Sequence, residues 1–169
     1  MEISGEDECL LFLKDCLKVF KPFRGAYIRI NYSDLPRNVL GRVNADLQIT
    51  KTSRARGLFR RRKATKISRK IVKKEFYIRI SSIFLRVIDT DLREELVKSV
   101  IMHELLHIER GDLIESSKDY HRRKHKKLHS NLEKEALQKI NALRLIKGLD
   151  ALDSDDYLQK EIKRLISGY

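Results

Sequence analysis

No tryptophan occurs in the 169 residues, cysteine and proline occur twice each, and no apolar run approaches the length of a membrane span. Each shortage removes a class of protein. Without Trp, stacking on nucleic-acid bases must fall to other side chains. Cys9 and Cys16 stand seven apart on what reads as one helix, which separates their Cα atoms by about 10 Å, too far for a disulfide. They read as buried thiols in a reducing compartment. No Cys-x-x-Cys pair exists, so zinc ribbons and cysteine clusters are excluded. The acidic opening, Glu2, Glu6, Asp7 and Glu8, is the reverse of a signal peptide's basic start. A soluble chain with no membrane partner is expected, cytoplasmic or nucleoid-associated.

Charge is abundant and one-sided. Lys and Arg number 37 against 24 Asp and Glu, a net charge of +13, which favours a polyanionic partner, most often nucleic acid. A heavily charged thermophile-type surface would give the same excess. The excess peaks in residues 54–74, where eleven of twenty-one residues are basic, including the run Arg60, Arg61, Arg62 and Lys63. Mutual repulsion predicts a hairpin tip or projecting loop. With Phe59 among the arginines as a stacking group, DNA contact through this segment is expected; a localisation signal or a solvated loop are the plainer readings.

The most informative stretch is His103-Glu104-Leu105-Leu106-His107. Helical residues four apart lie within about 40° in projection and about 6 Å along the axis, so His103 and His107 can present imidazoles to one ion. Glu104 borders the open side, placed to take a proton from a water beside that ion. Leu92, Leu96, Val97, Val100, Ile101, Leu105 and Ile108 recur at helical spacing, which gives this helix a core face. Thr90 or Asp91 is the expected cap, with Glu94 completing a capping box, and Gly111 the stop.

Around that helix the chain alternates types. Residues 8–20 read as an amphipathic helix, 26–32 as a strand with one buried face, Val43 to Ile49 as a second strand entered through Gly41, and 76–81 as a third. A polar loop follows Gly111. Leu132, Ala136, Leu137, Ile140, Leu143 and Ile146 then mark a helix stopping at Gly148, and a last short helix opens between Asp153 and Asp156. One domain over 1–169 is expected, with a core at about 26–142 and a helical extension at 150–169.

A catalytic zinc takes three protein ligands and leaves a fourth position to water. His121, His125, His129 and Glu133 are spaced four apart and rise about 18 Å together, so no single ion can use them all. Two of them bound at once would close the site and make the zinc structural.

The strand Phe76-Tyr77-Ile78-Arg79-Ile80-Ser81, the approach Glu94 to Met102 and the His103–His107 motif together resemble the core of SprT-like zinc metalloproteases, the class that includes the eukaryotic protease Spartan. In that family a third His follows the motif after a dozen or so residues, and His121, fourteen after His107, matches best. Arg122 stands where the family often has Gly, and His125 where it has an aromatic, which keeps His125 as a rival. The resemblance implies an α+β fold, a small, mostly antiparallel sheet packed on zincin-type HExxH and following helices, with N- and C-terminal helices. It also implies a zinc endopeptidase acting on proteins bound or crosslinked to DNA, with Glu104 as general base and acid. Gluzincins, which take a Glu from a later helix, fit Glu133 or Glu135 instead. A nucleic-acid-binding protein with a closed structural zinc, or a zinc hydrolase acting on a nucleic-acid end, complete the alternatives.

Overall fold

The computed structural model describes residues 5–54, 66–111, 113, 118–154 and 156–167. Among the described residues the elements run α1 (Gly5–Leu17), β1 (Ala26–Ser33), β2 (Gly41–Arg54), β3 (Lys66–Ser81), a 3-10 turn (Ser82–Arg86), α2 (Thr90–Arg110), α3 (Lys118–Ile146) and α4 (Asp156–Ser167). The class is α+β, as expected. No helix among the described residues is long and apolar enough to cross a membrane.

The sheet is mixed rather than mostly antiparallel, in the order β1-β3-β2. β3 lies between strands that are closer to each other in sequence. It pairs parallel with β1, Ala26 opposite Lys74 through Ser33 opposite Ser81, and antiparallel with β2, Gly41 opposite Ile80 through Arg54 opposite Lys66. Burial explains the placement. Phe76, Ile78 and Ile80 are among the most buried side chains, and the central position is the one that covers a strand on both edges. β2 and β3 also extend into the basic segment, as far as Arg54 and back from Lys66. The expected loop is therefore shorter than 54–74, and its remaining part, with Arg60, Arg61, Arg62 and Lys63, lies outside the described residues.

All the helices that touch the sheet pack on one of its faces, where Ile28, Ile30, Val43, Phe76, Ile78 and Ile80 join the core. α2 is the centre of that core. Leu96, Val97, Val100, Ile101, Met102, Leu105, Leu106 and Ile108 are buried around most of its circumference, the pattern of a helix enclosed by other elements rather than lying on a surface. Its cap is Asp89, not Thr90 or Asp91: the Asp89 carboxylate accepts from the Asp91 and Leu92 backbone N–H groups at 3.0 and 3.1 Å. Gly111 ends the helix at φ 73°, as its sequence position predicts. α1 stops at Leu17, α3 starts as early as Lys118 and α4 begins at Asp156. Cys9 and Cys16 are buried free thiols.

α2 and α3 run antiparallel. Lys147 reaches Glu94 at 2.5 Å near one end of α2, and Arg110 reaches Glu135 at 2.5 Å at the other. The turn of α3 around Glu135 thus lies level with the last turns of α2, where the histidines are.

Candidate metal centre

His103 and His107 occupy successive turns of α2, with ring centroids 5.0 Å apart and planes at 76°. Both are half-buried, enough to hold their orientation and still meet a ligand. Two imidazoles at this separation are the donor set a borderline cation such as zinc takes. The helix supplies the spacing and the buried leucines Leu105 and Leu106 fix its rotation.

Glu104 packs against β2. Its side chain is only 7 % exposed, wedged between α2 and the start of β2. Burial pushes its carboxyl up to about 7, and a hydrogen bond donated by the Val43 backbone N–H partly opposes that rise. β2 pairs only with β3 among the described residues, so this N–H comes from an edge strand. A carboxylate near neutrality beside an open edge is suited to exchange protons. A divalent cation at the His103–His107 pair would draw its pKa down again.

Gly41 makes the wedge possible. A Cβ there would come within 2.4 Å of Val100 Cγ1, closer than packed carbons approach, and 3.0 Å from Glu104 Oε1, a contact so tight that the carboxylate would have to give way. Sequence alone shows Gly41 only as the entry to a strand; its contact with Glu104 is long-range and leaves no local pattern. Gly41→Ala is therefore expected to displace either Val100 or Glu104, lowering stability by about 1–3 kcal/mol and cutting any Glu104-dependent rate by about a hundredfold. Thermal unfolding and a rate measured on the same preparation check both effects.

The third donor is not assembled among the described residues, which contain no group of three His, Cys, Asp or Glu able to hold a metal. His121, His125 and His129 lie on α3, but their side chains lie outside the described residues. Glu133 is exposed on α3 and engaged with another group. Glu135 gives its carboxylate to Arg110.

No protein-family model, no curated protein and no solved structure matches the chain.

Proposed function

We propose that the chain is a zinc-dependent metallopeptidase of the SprT-like type, acting on proteins bound or crosslinked to DNA. The observation that carries the reading is a pair of adjacent imidazoles on one helix with a buried glutamate between them that abuts an edge strand. His103 and His107 would hold the zinc with a third donor from α3. When bound, zinc supplies Lewis-acid polarisation to a peptide carbonyl and to a water. Glu104 takes the water's proton at its carboxylate and delivers it to the leaving amine. β2 runs past Glu104 with its outer edge unpaired among the described residues, so a peptide added there as a further strand would be held by main-chain hydrogen bonds with little sequence preference. Basic residues of segment 54–74 would bring the enzyme to DNA in a salt-sensitive manner.

Two observations bear on the third donor. The spacing of the resemblance favours His121, with His125 as its rival. The antiparallel packing of α2 and α3 sets Glu135 beside Arg110 at the end of α2, so the gluzincin arrangement would have to draw on Glu133 from an exposed position on α3.

The test is metal content together with cleavage. Purified protein dialysed against micromolar zinc should retain one zinc per chain and cleave an unstructured protein substrate in the presence of DNA. Chelation should stop cleavage and zinc should restore it. His103→Ala and His107→Ala should each reduce zinc to background. In the series His121→Ala, His125→Ala and Glu133→Ala, the variant that loses zinc identifies the third donor. Wild-type protein that retains no zinc, or zinc-loaded protein that cleaves nothing with or without DNA, would overturn the proposal.

A further inference from the structure

The sheet face turned away from the helices carries a set of side chains unlike its core face. In register across β1, β3 and β2 they form three rows: Tyr27, Glu75 and Asp46; Arg29, Tyr77 and Asn44; Asn31, Arg79 and Arg42. Tyr27, Arg29, Asn31, Arg42, Asn44 and Asp46 are exposed, and the β3 residues are half-buried by their neighbours. Tyr27 shows 54 % of its surface to solvent. The alternation that buries the isoleucines behind the sheet is what brings these residues to the front.

Two details distinguish this face from an ordinary solvated one. The Arg29 guanidinium lies 5.2 Å from the Tyr27 ring centroid and 5.7 Å from that of Tyr77, so one cation is shared by two aromatic rings on neighbouring strands. The rings are diagonal neighbours, with Cα atoms about 8 Å apart from strand spacing and rise. With its amide oriented so that the oxygen faces Arg79, Asn44 of the same row accepts from Arg79 Nη2 of the next at 2.9 Å, while Arg79 Nε is buried with no hydrogen-bond partner. Charge is segregated along the strands. Glu75 and Asp46 occupy the row nearer the hairpin, with the Tyr77 hydroxyl donating to Glu75 at 2.8 Å; the arginines occupy the other two rows.

We infer that this face, through Tyr27 and Tyr77 as stacking platforms and Arg29, Arg42 and Arg79 as phosphate contacts, binds a single-stranded polynucleotide. Flat aromatic rings accept bases of any sequence, and guanidinium groups beside them take the phosphates between. The acidic row repels phosphates and so directs the backbone across the arginine rows. A duplex does not satisfy the face, because its bases are already stacked on one another and offer only edges and phosphates. Binding here is separate from the metal centre and from segment 54–74, which offers positive charge but only Phe59 as an aromatic ring.

The experiment is fluorescence anisotropy with short labelled oligo(dT), oligo(U) and a duplex of equal length, using the full chain in EDTA over a range of salt. The single strands should bind more tightly than the duplex, and the tighter of the two names DNA or RNA as the source. Tyr27→Ala/Tyr77→Ala should weaken single-strand binding about tenfold or more with its salt slope unchanged, whereas Tyr27→Phe/Tyr77→Phe should bind as wild type. Arg42→Ala should lower the salt slope by about one. A thermal melt confirms that each variant is folded. No single-strand binding, unchanged affinity in the double alanine variant, or a duplex bound as tightly as the single strands would overturn the assignment. Neither zinc nor cleavage enters this measurement, so its failure leaves the peptidase reading standing, and failure of the peptidase reading leaves this one.

Discussion

Glu104→Gln is expected to leave zinc content and melting temperature close to wild type and to reduce peptide cleavage by about a hundredfold to ten-thousandfold, the range general acid–base catalysis supplies. The amide has the shape of the carboxylate, so it fills the same space beside Gly41 and Val100, and its oxygen can still accept from the Val43 N–H. What it cannot do is take a proton from water. Glu104→Asp separates chemistry from placement. It keeps the acid and withdraws it by one methylene, a displacement large enough to cost about a hundredfold, while opening a small gap at Gly41. Glutamine at full activity would remove Glu104 from the mechanism. A variant that instead lost its zinc would place Glu104 among the groups holding the site together. Rates, zinc per chain and melting temperature on one preparation separate these outcomes.

How far the sequence led depends on how local each feature is. The His103–Glu104–His107 helix and its Gly111 stop are written within a few turns of one element, and the structure has both. The cap at Asp89 is not legible locally, because Asp89, Thr90 and Asp91 all suit that position and only φ and ψ select among them. The sheet order is a property of β3's burial relative to two other strands, which no single strand's alternation reveals. Repulsion does not keep Lys66 to Lys74 out of the sheet, for a reason of magnitude. Like charges facing each other in water repel by only about 1 kcal/mol at 4 Å, and salt screens even that. Arg54 can therefore stand opposite Lys66, and Lys51 opposite Arg69, within a continuous ladder. Glu104's wedge against Gly41 and Val43, and the row of Tyr27, Arg29 and Tyr77, join residues distant in sequence. Only the register exposes them.

Removing both acids from the Lys98 cluster is expected to destabilise the fold by about 3–5 kcal/mol, while removing the lysine itself costs little. Lys98 is 7 % exposed, with Nζ 2.6 Å from Asp15 and 2.6 Å from Glu94, and it lies 5.3 Å from the Phe12 ring centroid. Lys147 from the end of α3 reaches the same Glu94, so the buried ammonium joins α1 to α2 and the Glu94 carboxylate carries the cluster on to α3. Asp15→Ala/Glu94→Ala strands that ammonium without a carboxylate and beside a second cation, the situation in which a broken buried pair is most costly. Lys98→Met fills the same volume with an apolar chain against Phe12 and leaves Asp15 with Lys18 and Glu94 with Lys147, so its effect should stay within about 1 kcal/mol. Acid should reproduce the first variant in the wild-type chain. Burial alone would raise both carboxyls, but hydrogen bonds from Lys18 and Lys98 onto Asp15, and from Lys147 and Lys98 onto Glu94, outweigh it and hold both below the usual carboxylate range. A carboxyl lowered in the folded state contributes stability that is complete above its unfolded pKa of about 4 and is lost as the pH falls through the folded values. Both carboxyls are partly exposed, so solvent screening reduces the gain. Urea midpoints taken from neutral pH to below pH about 4 should fall more steeply for wild type than for Lys98→Met, because the methionine variant has lost the partner that lowers both acids. Parallel curves would show that the three helices are held by their apolar contacts and that the ion cluster adds nothing measurable to them.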